Sequence, residues 1–364
     1  MTTLLVVVGI VLLVAYANGA NDTFKGVATL FGSGTSSYPR ALTWATVTTF
    51  AGSVTALFLA EKLVRAFSGR GLVPEALISG SGFLASVGVA AAGTVLLATF
   101  LSLPVSTTHA LTGALVGAGL VLAGPELRWG ALGTTFFLPL LLSPVAALAL
   151  TLLLYPTLRW TARRLGIRRE SCICVNEKWV PVGTGTVAAA PGLEVAACDS
   201  RQDRYQGTVL AIDAERAVNG AHYLSAGAVS FARGLNDTPK IVALLIASQA
   251  LGLRSGMILV GAAMALGAIV HARRVGETMS RKITPLNHGQ GVAANLVTAA
   301  LVIAASRFGL PVSTTHVSCG SLFGIGMVTG KADRKIVGSI VIAWVVTLPL
   351  AAALGAAAAS LIGA

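Results

Sequence analysis

The heptapeptide LPVSTTH occurs twice, letter for letter, at Leu103–His109 and Leu310–His316. Glycines follow each copy in step: Gly113, Gly117 and Gly119 against Gly320, Gly324 and Gly326. A second motif, G-x-N-D-T-x-K, pairs Gly19–Lys25 with Gly234–Lys240, in the same order and at nearly the same distance from the heptapeptide. Two different motifs repeated in register mark an internal duplication. The fold must therefore be made of two copies of one unit.

Both copies sit in apolar surroundings. Of the 364 residues 55% are hydrophobic and 11% charged, with a mean hydropathy of +0.80. An ordinary soluble domain is about 25% charged, so the chain is expected to be a polytopic membrane protein. Runs such as AALALTLLLY do not alternate as barrel strands do, and many exceed the roughly 18 apolar residues a spanning helix needs. The membrane regions are therefore all-α. The first segment, VVVGIVLLVAYA, has the apolar core of a signal peptide but no basic flank, and it is read as a retained first helix.

Three regions follow: a first transmembrane repeat at 1–155, a polar insert at 156–220 and a second transmembrane repeat at 221–364. The net charge of +12 is spread between apolar segments, which is the positive-inside pattern and not a nucleic-acid patch. LRWTARRLGIRRE puts five arginines beside a helix end, so the insert is expected in the cytoplasm. Its CICV, KWVPV and GTVLAI stretches predict a small β-rich module. Cys172, Cys174 and Cys198 lie there without a clear fourth ligand, and no metal site is assigned. Apolar segments number about five per half, some of them interrupted. An odd number forces the halves into opposite orientations, giving two inverted-topology repeats with broken or re-entrant helices. The multi-pass chain then has both termini outside, with the plasma (inner) membrane as its expected location.

Outside the insert seven acidic residues occur, and only Asp22 and Asp237 fall within apolar segments. A charge at mid-bilayer costs at least ~2.5–3.5 kcal/mol and faces a pathway or a partner. Gly19–Asp22 and its counterpart read as helix breaks around a cavity, where freed carbonyls and one carboxylate suit a small cation or a proton. PVSTT suits an anion. Proline is tolerated in a first helical turn, and Ser106, Thr107 and Thr108, like Ser313, Thr314 and Thr315, would add hydroxyls to the N–H groups of a helix start. Lys25 and Lys240 each follow a buried Asp by three residues, within reach on a helix. They are charge-compensating, either towards that carboxylate or towards a bound anion. Two such halves resemble the way secondary transporters build a midplane site. No G-x-S-x-G elbow or G-x-x-x-x-G-K-[ST] loop is present, so neither an enzyme nor an ATP-driven pump is expected.

At these residues the sequence resembles the inorganic phosphate transporter (PiT) family, whose members carry a GAND signature in each inverted repeat and P-x-S-x-T-H elements further on. The resemblance implies a symporter importing inorganic phosphate with Na+ or H+ as coupling ion and no other cofactor, by alternating access. It implies phosphate binding by Asn21, Ser106, Thr107, Thr108, Asn236, Ser313, Thr314 and Thr315. Asp22 and Asp237 would serve the coupling cation or proton. A homodimer in the lipid bilayer is compatible with this reading. The alternatives are a sulfate permease of the same family and a passive anion channel; carboxylates in an anion pore weigh against the latter. This chain departs from the common form in Thr23, Phe24 and Lys25, and in reading GLND at its second copy.

Overall fold

Apolar chain in lipid can satisfy its backbone polar groups only in a helix or a closed barrel, and here it forms helices. The computed structural model describes residues 2–79, 81–164, 214–247 and 251–362, together with eight short strand segments between 168 and 213. The first half supplies α1 (Thr2–Asp22), α2 (Tyr38–Leu59), α3 (Ser81–Phe100), α4 (Thr107–Leu122) and α5 (Leu138–Arg164). The second supplies α6 (Ala214–Ala247), α7 (Leu253–His271), α8 (His288–Phe308), α9 (Thr314–Thr329) and α10 (Arg334–Ile362). Each helix of the second half is the counterpart of the one five places earlier.

Among the described residues, seven helical segments are long and apolar enough to cross a membrane by length and composition. Their outer faces are greasy and their inner faces small or polar. Helix α5 exposes Leu141, Val145 and Leu153 while burying Ser143, Ala147 and Thr151. That inside-out distribution suits a lipid solvent, and the chain is an integral membrane protein.

The halves pack by exchange. Helix α1 lies on α7 and α6 on α2; α4 lies on α10 and α9 on α5; α1 meets α3 as α6 meets α8. These contacts map onto one another when the halves are swapped, so a pseudo-twofold axis relates the repeats. Close approach is part of the design. A Cβ on Gly52 would come within 2.0 Å of the Phe231 carbonyl oxygen, and one on Gly267 within 2.0 Å of that of Tyr16. Residue and partner are counterparts in both cases, and only glycine lets the helices come so near.

Helices α4 and α9 are 16 residues each, about 24 Å at 1.5 Å per residue and too short for a hydrocarbon core of about 30 Å. Both start inside the protein: Ser106 and Ser313 are each 1% exposed. The chain leaves α3 at Phe100 and α8 at Phe308, turns, and begins a new helix at depth.

Two expectations are corrected. The insert is not a β-rich module. Among the described residues its strands are two to four residues long and pair only two by two, in four separate ladders. Three or more strands with an apolar face are needed for a stable sheet; pairs such as Arg168–Glu170 with Arg204–Gln206 have no such face. The expectations for the thiols of Cys172, Cys174 and Cys198 lie outside the described side chains. Nor is the second Asn-Asp motif a helix break: α6 runs through Gly234–Lys240 despite Pro239. In the first half α1 does end at Asp22, followed by a tighter 3₁₀ turn, Thr23–Val27. Asn236 donates to the Val312 carbonyl, and Asp237 accepts from Asn18 and Thr314, all on other segments.

Gly267→Ala is expected to destabilise the protein by about 1–3 kcal/mol, the usual cost of overpacking. Gly338→Ala, with nothing within 4 Å of the added carbon, is expected to be neutral. Thermal melting of the detergent-solubilised variants checks the pair.

Candidate functional site

Four polar side chains recur at i, i+3, i+4 and i+7 along α1 and the turn after it: Asn18, Asn21, Asp22 and Lys25. Their counterparts on α6 are Arg233, Asn236, Asp237 and Lys240. Helical spacing puts each quartet on one face, and the two faces turn inward. The ionised groups are sealed from water: Asp22 is 1% exposed, Lys25 4%, Arg233 1%, Asp237 3% and Lys240 1%.

The asparagines of the motifs act as pegs. Asn21 Nδ2 donates to Thr99 Oγ1 at 2.9 Å and to the Leu103 carbonyl at 3.1 Å, while its Oδ1 accepts from Lys25 Nζ at 2.8 Å and Val105 N at 3.2 Å. Those four bonds use the full capacity of an amide. Asn236 reaches the corresponding two places through different bonds, donating to the Val312 carbonyl at 3.2 Å and to Asp237 Oδ1 at 3.0 Å and accepting from Ser306 Oγ at 3.3 Å. Each peg ties its motif to the end of the preceding helix and to the turn that opens α4 or α9.

Those helix starts meet at the axis. Thr108 Oγ1 donates to the Val312 carbonyl at 3.2 Å, and Thr315 Oγ1 donates to the Val105 carbonyl at 2.8 Å. Ser106 and Ser313 are N-caps, each accepting from the third residue on, His109 N and His316 N, at 3.1 Å. Thr107 and Thr314 turn to the acids: Thr107 Oγ1 donates to Asp22 Oδ2 at 2.9 Å and Thr314 Oγ1 to Asp237 Oδ2 at 3.5 Å. The positive ends of two helix dipoles, roughly half a charge each, are thereby held head to head. His109 and His316 pack edge to face beside them, ring centres 4.3 Å apart.

The lysines cross between halves. Lys25 Nζ bonds the Val105 carbonyl at 2.8 Å and Thr315 Oγ1 at 2.7 Å, and pairs with Asp22. Lys240 Nζ bonds the Val312 carbonyl at 2.7 Å and Thr108 Oγ1 at 2.8 Å, with Asp237 Oδ1 at 3.6 Å. The structure thus brings all twelve residues singled out by the sequence into one buried cluster.

Two further members were not foreseen. Asn18 Nδ2, with two protons to give, lies 2.9 Å from Asp22 Oδ2, 3.0 Å from Thr107 Oγ1 and 3.3 Å from Asp237 Oδ2, reaching both acids from one amide. Arg233 bonds the Asn18 side-chain oxygen, reaches the Asn18 carbonyl at 3.3 Å, and lies 3.6 Å from Asp237 Oδ2. A signal existed: each directly precedes the glycine of its motif, so the polar face reads N-G-A-N-D and R-G-L-N-D. Counting buried acids alone passed over the third cation. At the centre three cations face two carboxylates, and the symmetry of the halves fails at one position, Asn18 against Arg233. A surface groove of about 930 Å³ lined by Lys62, Arg65 and Arg70 includes none of these residues.

Comparison with known proteins gives a consistent result. A model of the phosphate transporter family matches residues 18–355. A protein of Pyrococcus abyssi named as a phosphate permease is 28% identical, over 95% of this chain and 94% of its own length. A Rhizobium meliloti protein named as a low-affinity inorganic phosphate transporter is 28% identical, over 96% and 93%. A solved structure titled the sodium-dependent phosphate transporter shares the fold, with a TM-score of 0.76 at 22% identity, covering 100% of this chain and 99% of that one.

Arg233→Met is expected to cost about 1–3 kcal/mol, because it leaves the buried Asn18 side-chain and main-chain oxygens without their donor. Arg65→Met at the exposed Glu61–Arg65 pair should cost less than about 1 kcal/mol. Comparing their melting temperatures with the parent's checks both.

Proposed function

The chain belongs to the phosphate transporter family, and on that footing we propose that it imports inorganic phosphate by symport with a cation, sodium or a proton. The observation that carries this reading is the meeting of two helix starts inside a cluster of three cations and two carboxylates. Surplus positive charge and inward-pointing N–H groups, closed off from water, suit a tetrahedral oxyanion.

The carboxylates favour phosphate over sulfate. At neutral pH phosphate still carries a proton that it can donate to Asp22 or Asp237, whereas sulfate would meet only repulsion. A site built to accept a ligand's proton rejects an analogue lacking it. Ser106 and Ser313 hold the helix starts, Thr107 and Thr314 lie beside the acids, and Thr108 and Thr315 lie beside the lysines. Asn21 and Asn236 keep these groups in place. Oppositely oriented repeats would let the cluster open to each side in turn, with the insert in the cytoplasm and the plasma membrane as the location.

Radiolabelled phosphate uptake into proteoliposomes, with sodium and proton gradients imposed separately and unlabelled sulfate as competitor, tests the proposal. Uptake concentrated by a gradient and unaffected by sulfate is the expected outcome. Competition by sulfate, or indifference to both gradients, would replace the reading with a sulfate permease or a passive pore. Asp22→Asn and Asp237→Asn should each weaken discrimination against sulfate by about tenfold, the loss of one hydrogen bond worth about 1.4 kcal/mol.

A further inference from the structure

Four oxygens surround Lys25 Nζ: Asn21 Oδ1 at 2.8 Å, the Val105 carbonyl at 2.8 Å, Thr315 Oγ1 at 2.7 Å and a carboxylate oxygen of Asp22. An ammonium has three protons to donate, so the shell offers more acceptors than it needs. One carboxylate, one amide oxygen, one backbone carbonyl and one hydroxyl form an all-oxygen donor set of the kind hard cations take. A single carboxylate matches a single positive charge.

The other half repeats three of the four oxygens, the Asn236 amide oxygen accepting from Ser306 instead. Lys240 Nζ faces Thr108 Oγ1 at 2.8 Å, the Val312 carbonyl at 2.7 Å and Asp237 Oδ1 at 3.6 Å. Each cage takes its acid and carbonyl from its own half and its hydroxyl from the other. Such a cage, shared between the halves at the binding cluster, is where a co-transported cation would bind and hold the halves together. Here the position is taken by a compact charge fixed to the chain. A second cation entering would meet a like charge among the same oxygens, with no water to screen it.

We propose that Lys25 and Lys240 are built-in replacements for co-transported sodium, filling two oxygen cages so that this chain moves its anion without sodium. The inference deepens the phosphate-uptake reading and rests on it. It also separates this chain from the relative whose title names sodium dependence: the fold is shared, while the cages here are occupied from within.

The test uses the purified full-length protein in two ways. In the first, its melting is followed in sodium chloride and in choline chloride at equal ionic strength. A ligand that binds the native state raises the melting temperature, so the parent is expected to melt alike in both salts. Lys25→Ala and Lys240→Ala, each opening one cage, are expected to gain a rise specific to sodium. In the second, parent proteoliposomes are loaded with labelled phosphate and labelled sodium together. Phosphate uptake should be unchanged when choline replaces sodium, and no labelled sodium should enter with it. For the folded alanine variants, sodium should stimulate whatever uptake remains by about tenfold.

A sodium-specific stabilisation of the parent, or entry of sodium with phosphate, overturns the proposal. So does a folded alanine variant of each lysine without any response to sodium. If the variants do not fold, the parent's two measurements decide alone. A parent that takes up no phosphate under any gradient defeats the transport reading, while the melting comparison, which needs no phosphate, still decides the question of the cages.

Discussion

The structure turns on the pair of crossed bonds by which each motif lysine grips both helix starts. Lys25 holds the Val105 carbonyl of its own half and the Thr315 hydroxyl of the other; Lys240 holds Val312 and Thr108. A helix beginning inside a membrane protein leaves N–H groups unpaired and the preceding carbonyls exposed. In lipid each such group would cost several kcal/mol. The crossed lysines, the serine caps and the threonine bonds satisfy the valine carbonyls and fix where α4 and α9 begin. In return, those carbonyls and hydroxyls offset the desolvation of two ammonium groups. Neither the short helices nor the buried charges would be tolerable without the other.

That mutual dependence explains why the duplication is so literal at two places and so loose elsewhere. PVSTT must supply a cap, a hydroxyl for the acid and a hydroxyl for the opposite lysine at three successive positions, and any change breaks one of them. The lipid-facing surface of α5 asks only for apolar residues, and α10, its counterpart, meets that demand with different ones. The Asn18–Arg233 pair shows where the duplication has been allowed to diverge inside the site. The arginine of one half bonds the side chain and main chain of its own counterpart, an asparagine, in the other. The result is a third cation at the centre, on one side of the axis only.

The sequence revealed the parts of the structure governed by pattern. Repeats, apolar runs and the paired motifs announced an all-α membrane protein with two related halves, and they named twelve residues that prove to lie together. What pattern could not supply was the balance between local and distant bonds. Asn and Asp commonly break a helix by bonding their own backbone, and this predicted two breaks. Asn21 and Asn236 both spend their amides on distant segments; α6 nevertheless runs on through its motif, while α1 passes into a 3₁₀ turn. The insert misled for the opposite reason: short apolar runs with Gly and Pro between them suggest strands, but strands of two to four residues that pair only two by two build no sheet. Arg233 went unremarked because basic residues were read as loop markers, although it stands one place before the motif it serves.

The crossed bonds also bear on how such a cluster can open. Any motion that parts the halves must separate Lys25 from Thr315 or Lys240 from Thr108, since both pairs span the seam. A hydrogen bond to a charged group is worth about 1.5–3 kcal/mol, and a buried ammonium that loses one must find another partner. Parting the halves completely would break both pairs and open the close helix contacts at Gly52 and Gly267. The lysines that hold the helix starts in place therefore also hold the two halves together.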